Sequence, residues 1–579
     1  MTIRRRCEKN TLGGTKMKKI IALLMALAMS LGVLAGCANT ADTPESSATT
    51  STPEEQPTAE SPKVETPLKL TWQQGIGIDT LFESPHKDSQ SLYPDMVFDS
   101  MITYDAAEDK LYPALATEWT VNDDYTVYTF TLREDVLWHD GEPLTAEDVV
   151  WSIHDCVLNP NNGGMQFFQY IKGYDAAKEG TTDKLEGVSA EGNVVTIELT
   201  QPTARFLYSI GMTKILPYHL LGNIAWADVD SNEYWTKPIG TGAYKIDEVK
   251  FPDYFTCVRN DEYWGEPAGI KNVQFISYQT GGSDAAVAAV ITGNVDFATR
   301  QVVVDKSVAD NITSQNADVK TIIMNDFVTR GFFFNTGVRA DGNVKEDLKK
   351  KEVREALALL IDEDAIASFY NGQATASPTF VNPNATEYNT DIPTVSKDVD
   401  AAKKLLDDAG FDYSQVVDIA YYYNDQTSHD IMQLIVQDCA EAGVTVNPIL
   451  LEGDLAALIY TDCNYDLLYA AANGAATDQA KPYNQFASNT SYTFMGMSEE
   501  RGALFDDLLN KYNASGDSEE RKEIAWQLQA LNYEYCWGIP AYILNNCVCY
   551  NTANVQVPEN VFSVGGTTNF RWNEWKMLK

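Results

Sequence analysis

Residues 399–451 read VDAAKKLLDDAGFDYSQVVDIAYYYNDQTSHDIMQLIVQDCAEAGVTVNPILL, and their periodicity sets the architecture. Val399, Ala402, Leu405, Leu406 and Ala409 recur at helical spacing, and Gly410 follows as the residue best able to take a left-handed stop. Val416 to Tyr423 predicts a strand. Ile431, Leu434, Ile435, Cys439 and Ala442 predict a second amphipathic helix stopped by Gly443, with Cys439 as a core thiol on its buried stripe. Val444 to Leu451 and Tyr465 to Ala470 predict further strands. Helix and strand alternating at this interval call for an α/β arrangement, a substantially parallel sheet covered by helices.

The first half is more mixed. Leu68 to Trp72 predicts a strand that breaks at a glycine loop, Gly75-Ile76-Gly77. Thr126 to Leu132 alternates, with Tyr128, Phe130 and Leu132 on one face, and Gly192 to Leu199 predicts another strand. Between them Thr145 is placed as a helix N-cap, with Asp148 at the third helical position and Leu144 packing against Val149.

Ahead of this body, Ala38 to about Pro67 is rich in Ser, Thr, Pro and Glu with no large apolar side chain. Such a segment buries too little to offset chain entropy and is expected to be a disordered tether, about 30 Å or more in reach. Before it, Lys18 to Cys37 reads KKIIALLMALAMSLGVLAGC: a basic start, a short apolar run and a small-residue cleavage site. The apolar run of ~15 residues is shorter than the ~20 that span a bilayer. Met17 and the two lysines form the leader's basic start; Arg4, Arg5 and Arg6 stand in an extension ahead of it, with Met1 and Met17 both open as the start. Leu34-Ala35-Gly36-Cys37 resembles a bacterial lipobox, which implies cleavage before Cys37 and a diacylglycerol on its thiol.

Residues 37–579 carry 36 Lys and Arg against 81 Asp and Glu, a net charge near −45. That surface repels nucleic acid and anionic lipid. Of the nine cysteines, seven follow Cys37, scattered without the spacing of a disulfide framework, so at least one is expected to be free and buried thiols are the default. Cys547-Val548-Cys549 lacks a second ligand pair for zinc, and none of the five histidines is paired at i, i+4. No metal or cofactor is expected.

A series of short signatures then points to a family. Leu115-Ala116-Thr117-Glu118-Trp119, Tyr128 to Arg133 (YTFTLR) and Trp138 to Val149 (WHDGEPLTAEDV) come first; Pro238 to Tyr244 (PIGTGAY) and Arg259 to Gly265 (RNDEYWG) follow. Ala289 to Phe297, Phe334-Asn335-Thr336, Val353 to Leu357 (VREAL) and Ile361 to Ile366 (IDEDAI) complete the order. The set resembles the extracytoplasmic solute-binding proteins of family 5, receptors for peptides, dipeptides and nickel complexes in ABC importers. Read by themselves, Gly240 and Gly242 make a tight turn, because no Gly-Lys-Ser/Thr follows, and His139-Asp140-Gly141 makes a hairpin turn.

The resemblance implies a two-lobe, periplasmic-binding-protein-like fold of the large class II type. Residues 1–36 would be the lipoprotein signal peptide and 37–67 the tether. Lobe 1 would take 68–327, with an extra subdomain at about 105–215, lobe 2 would take 328–540, and 541–579 would return to lobe 1. Strands near Thr329 to Asn335 and Ile539 to Ile543 would form the hinge. The implied function is a non-enzymatic receptor, lipid-anchored through Cys37 at the extracellular face of a bacterial membrane. It would be a monomer and would hand its ligand, foremost an oligopeptide, to ABC permease subunits.

Peptide-binding members pair an Asp with the ligand's α-amino group. Asn473 to Pro482 (NGAATDQAKP) keeps that Asp-to-Pro spacing, which implies Asp478 for the amine with Asn473 nearby; Ala475 stands where the family has Trp, leaving room for a bulkier ligand. Asp478 could also simply cap a turn. Arg330 is a candidate for a ligand carboxylate, or for a structural ion pair. The loop Asn424 to His429 lacks the Arg of dipeptide receptors, so an oligopeptide ranks ahead of an oligosaccharide or a metal chelate. The rival from another class is a tethered extracellular hydrolase, against which stands the lack of G-x-S-x-G, H-E-x-x-H and P-loop motifs. A binding protein turned to signalling or adhesion would share the fold.

Overall fold

The structure is a computed structural model. It describes residues 66–579 except 73–79, 83–91, 106–107, 109, 162–164, 166, 279–281, 304–305, 325–326, 338, 344, 371, 475–477, 489–494, 496–498 and 562–568, with the backbone alone at 282–284, 299–303, 306–309, 323–324 and 546–547. Cys37, the leader, most of the tether, the Gly75-Ile76-Gly77 loop, Ala475 and the Cys547 thiol therefore lie outside the described residues.

Two large sheets carry the body. The seven-stranded sheet runs from edge to edge through Val319–Met324, Asn546–Asn551, Phe297–Val303, Leu68–Trp72, Asn272–Ser277, Tyr254–Arg259 and Tyr244–Lys250. The six-stranded sheet runs Ala374–Ala376, Gly538–Leu544, Val328–Phe334, Leu467–Asn473, Val416–Tyr421, Thr445–Leu450. A four-stranded antiparallel sheet, Ala116–Val121, Val127–Leu132, Val194–Glu198 and Val188–Glu191, packs on the helix Ala146–Leu158. The expectation of a mixed α/β fold holds.

Each predicted helix of the second half forms where its apolar stripe lies. The helix Val399–Ala409 ends at Gly410 with φ 64°, and Gln426–Glu441 is followed by Gly443 with φ 81°. Asp425 starts the second by accepting the Ser428 N–H at 2.9 Å. Ile431, Ile435, Cys439 and Ala442 are buried on one face of the sheet, while Phe333, Leu468, Ala470 and Phe486 fill the other.

The sheet is less parallel than its sequence suggests. Val416–Tyr421 pairs in parallel with both its neighbours, but Val328–Phe334 is antiparallel to Leu467–Asn473 and to Gly538–Leu544. The reason is connectivity. Helix-joined strands must run parallel to be reached by a crossover. Val328–Phe334 enters instead from the neighbouring large sheet, with three residues between it and Met324, so no crossover sets its direction; Gly538–Leu544, reached from Leu467–Asn473 through the helices Glu499–Ala514 and Ser518–Tyr535, runs antiparallel to it.

The signatures of the first half meet as scaffold. Asp99 accepts hydrogen bonds from Thr241 Oγ1 at 2.9 Å, Trp264 Nε1 at 2.9 Å and Tyr263 Oη at 3.2 Å. Arg133 lies over the Trp264 ring at 4.5 Å. Thr145 N–H donates to Asp148 Oδ2 at 2.7 Å, and Asp148 Oδ1 accepts the Tyr218 N–H at 2.9 Å, so this helix start also anchors a distant segment. The six described free cysteines, Cys156, Cys257, Cys439, Cys463, Cys536 and Cys549, are all buried.

The His139-Asp140-Gly141 turn and the Gly240–Gly242 turn are stapled to one another. His139 Nδ1 accepts the Gly240 N–H at 3.1 Å, so the proton sits on Nε2, which donates to the Gly242 carbonyl at 3.0 Å. Asp140 pairs with His219 at 2.9 Å. Burial, partly offset by the Gly242 carbonyl, drives the His139 pKa down to about 4. A Cβ at Gly240 would stand 1.8 Å from the Val97 carbonyl oxygen, so the turn needs glycine for close approach.

Two measurements check this junction. An unfolded imidazole takes up its proton below about 6.5, and folded His139 does so only below about 4. The unfolded state therefore binds more protons between those values, and the stabilisation is complete above pH 6.5 and lost as pH falls toward 4. The stability gap between wild type and His139→Gln in urea should narrow across that window. Gly240→Ala should cost about 3 kcal/mol or more, because backbone rather than a flexible side chain must move. Gly293→Ala, with φ 74° and open space around it, should cost about 1–2 kcal/mol.

Candidate functional site

Arg330 lies in the middle of the six-stranded sheet, opposite Tyr542 on one neighbour and Ala471 on the other. Side chains alternate along a strand, so the face that carries Arg330 also carries Phe332, and across the ladder Tyr469 and Tyr542. Tyr423 follows two residues after Tyr421, the register partner of Tyr469, and reaches the same place. The guanidinium of Arg330 lies 3.8 Å from the centre of the Tyr423 ring. Tyr542 Oη bonds Tyr370 Oη at 2.7 Å and also bonds Tyr469 Oη; Tyr422 Oη bonds Tyr423 Oη at 2.9 Å.

Among the described residues no carboxylate pairs with Arg330, and its Nε is buried without a hydrogen-bond acceptor. Burial disfavours the cation, but Tyr423, Tyr542, Tyr469 and Tyr370 outweigh it and hold the pKa above the ordinary arginine value. The site is thus a half-buried cation in a tyrosine cage, with spare N–H donors, and a planar guanidinium of this kind suits a carboxylate or carbonyl. Asn473 is two residues beyond Ala471, shares the Arg330 face and is exposed.

Asp478 stands elsewhere. It is 2 % exposed, in the turn that leads into the 3₁₀ segment Lys481–Phe486, whose Pro482, Tyr483 and Phe486 are buried. Its carboxylate faces Arg205, with Nη2 at 3.9 Å. Arg205 Nη1 donates to Tyr512 Oη at 3.1 Å, and Tyr512 in turn donates to Glu387 Oε2 at 2.7 Å. Burial raises the Glu387 pKa despite Arg205 beside it. Arg205 follows the four-stranded sheet, whereas Asp478, Glu387 and Tyr512 belong to the stretch around the six-stranded sheet.

Of the three candidate ligand-binding residues, then, Arg330 and Asn473 share one sheet face and Asp478 lies in a separate buried cluster. Sequence reasoning missed Arg205, Glu387, Tyr512 and the five cage tyrosines, Tyr370, Tyr422, Tyr423, Tyr469 and Tyr542. The run Tyr421-Tyr422-Tyr423 at a strand end was the one local signal for the cage. Nothing local marks Arg205. Among the described residues no group of three His, Cys, Asp or Glu side chains could hold a metal ion.

Residues 110–494 match the bacterial extracellular solute-binding proteins, family 5, in their middle region. The chain is 25% identical over 517 residues to the dipeptide-binding protein of Escherichia coli K12, covering 82% of this chain and 90% of that protein. Among solved structures, the oligopeptide-binding protein AppA of Bacillus subtilis in complex with a nonapeptide aligns with TM-score 0.65 and 18% identity, over 89% of this chain and 100% of the other. NikZ of Campylobacter jejuni in complex with Ni(L-His) aligns with TM-score 0.64 and 21% identity, over 88% and 99%. These structural likenesses are likenesses of fold.

The cage is open to a direct check. Tyr542→Phe removes the hydroxyl shared by Tyr370 and Tyr469, the latter buried, and should cost about 1–3 kcal/mol. The measurement is the urea midpoint, which should fall with the slope unchanged.

Proposed function

The chain belongs to the bacterial extracellular solute-binding proteins of family 5, and on that premise we propose that it captures an oligopeptide between two lobes and delivers it to an ABC permease. The observation that carries the ligand class is Arg330: a cation in a tyrosine cage, without a carboxylate partner among the described residues. A peptide supplies what this site lacks, a carboxylate or carbonyl for the guanidinium and apolar side chains for the rings. Asn473, exposed on the same face, is the polar partner to the ligand backbone. Asp478 is the anchor for the α-amino group, which requires Arg205 to give up its place there.

The lobes are 68–327 with the chain's end, and 328–540. Membership of the two large sheets supports that division, except that the return falls after Leu544 rather than at 541, because the chain passes between them at two neighbouring points, after Met324 and after Leu544. Two short passages side by side make a hinge, and a ligand touching both lobes favours closure. Cys37 is the lipidated residue that holds the receptor at the outer face of the membrane. The tyrosine rings favour an oligosaccharide as the second reading, since sugar rings stack on such faces.

The test is thermal unfolding of the full-length protein against tri- to hexapeptides, their N-acetylated and C-amidated forms, oligosaccharides and nickel-histidine. A ligand at 100 times its Kd should stabilise by ~2.7 kcal/mol. Free peptides should stabilise the protein, with the effect reduced by C-amidation and in Arg330→Met, and by N-acetylation and in Asp478→Asn. A response to sugars or nickel-histidine alone would overturn the peptide reading.

A further inference from the structure

The cation already facing Asp478 is held quite differently from Arg354, a structural arginine of this chain. Arg354, 1 % exposed, donates to the backbone carbonyls of Leu348, Lys349, Tyr535 and Cys536 at 2.7–3.2 Å and stacks on Trp537 at 3.7 Å. Arg205 is 3 % exposed, yet among the described residues it makes one hydrogen bond, to Tyr512, and lies over the Tyr208 and Tyr512 rings at 5.4 and 5.2 Å. Its Nε and Nη2 are buried without an acceptor among the described residues, and Asp478 at 3.9 Å is beyond hydrogen-bond reach. A guanidinium has five N–H donors, and leaving buried donors unmade costs about 1–3 kcal/mol each. The contact is an ion pair with most of its hydrogen bonds missing.

It is also a contact between two parts of the molecule. Arg205 comes from the four-stranded sheet's side, where Ala204 N–H donates to the Asn513 carbonyl at 3.1 Å, and Asp478 follows a strand of the six-stranded sheet. The pair exists only while those two parts are together.

We propose that Arg205 is the chain's own occupant of the amine position at Asp478, an internal competitor that a ligand's α-ammonium must displace. The proposal rests on the reading of Asp478 as the amine anchor. It makes Arg205 a specificity-determining residue. With Arg205 in place the charge of Asp478 is countered, and a ligand gains at Asp478 only by bringing a cation that fits better than a guanidinium held at 3.9 Å. A peptide with a blocked amino terminus leaves Arg205 where it is and gains nothing there.

The experiment is calorimetric titration of the full-length protein with one tetrapeptide, free and N-acetylated, on wild type, Arg205→Met, Arg205→Lys and Tyr512→Phe. Arg205→Met should bind the free peptide more tightly by roughly ten-fold, with the acetylated peptide unchanged. Arg205→Lys should stay near wild type. Tyr512→Phe, which removes the hydroxyl that accepts from Arg205 and donates to Glu387, should shift the free peptide the same way by less, and serves if Arg205→Met does not fold. Free-peptide affinity unchanged or weakened in both Arg205→Met and Tyr512→Phe would overturn the proposal. Wild type that binds both peptides equally, with Asp478→Asn silent, would instead overturn the amine reading on which it rests.

Discussion

Strand Val328–Phe334, hydrogen-bonded on both edges inside the six-stranded sheet, is the constraint from which the rest of the body follows. It starts three residues after a strand of the seven-stranded sheet ends, and its neighbour Gly538–Leu544 leaves one residue before another begins. Backbone pairing of these two strands therefore ties the two large sheets at one place. The same pairing sets Arg330 opposite Tyr542 and brings Tyr469 beside them, so the cage is a by-product of register. A slip of one residue would send Arg330 to the opposite face, among Phe333, Leu468 and Phe486.

Four buried or half-buried arginines show how differently one side chain can be accommodated. Arg354 is satisfied by carbonyls at the end of the helix Ser518–Tyr535, and Arg339 is held by two carboxylates, Asp466 at 2.7 Å and Asp341 at 3.1 Å, although its Nε too is buried without an acceptor among the described residues. These close the structure. Arg330 and Arg205 keep unused donors, one in a half-buried cage and the other beside a buried carboxylate. In a chain with formal net charge −39, burying cations without saturating them is a local choice that average composition would not predict. Unsatisfied donors are costly.

Much of the element order was legible. Gly410 and Gly443 adopt positive φ because a residue ending a helix in the left-handed region does so at least cost without a Cβ. Asp148 and Asp425 mark helix starts by short-range hydrogen bonds that spacing alone can reveal. The signatures in the first half were legible as family marks but not as structure: that Thr241, Tyr263 and Trp264 converge on Asp99 follows from packing. The parallel character of the second sheet was overestimated, since the periodicity of a strand carries no record of which sheet the chain has come from. Arg330 and Asn473 were picked out from sequence; their common face was not.

By itself the sequence determined where helices and strands begin and end, the family, and the residue types available to a ligand. Those properties depend on neighbours within a turn or two, or on motifs written in order along the chain. Only the tertiary structure decided which groups face one another. Asp478 has a guanidinium beside it because Arg205, far away in the chain, is carried there by another sheet. His139 is neutral because the junction with the Gly240 turn desolvates its ring, an effect that the Gly242 carbonyl only partly offsets. Contacts of this kind are set by the packing of whole layers, and their energies come from desolvation, which no stretch of sequence expresses until the layers have closed.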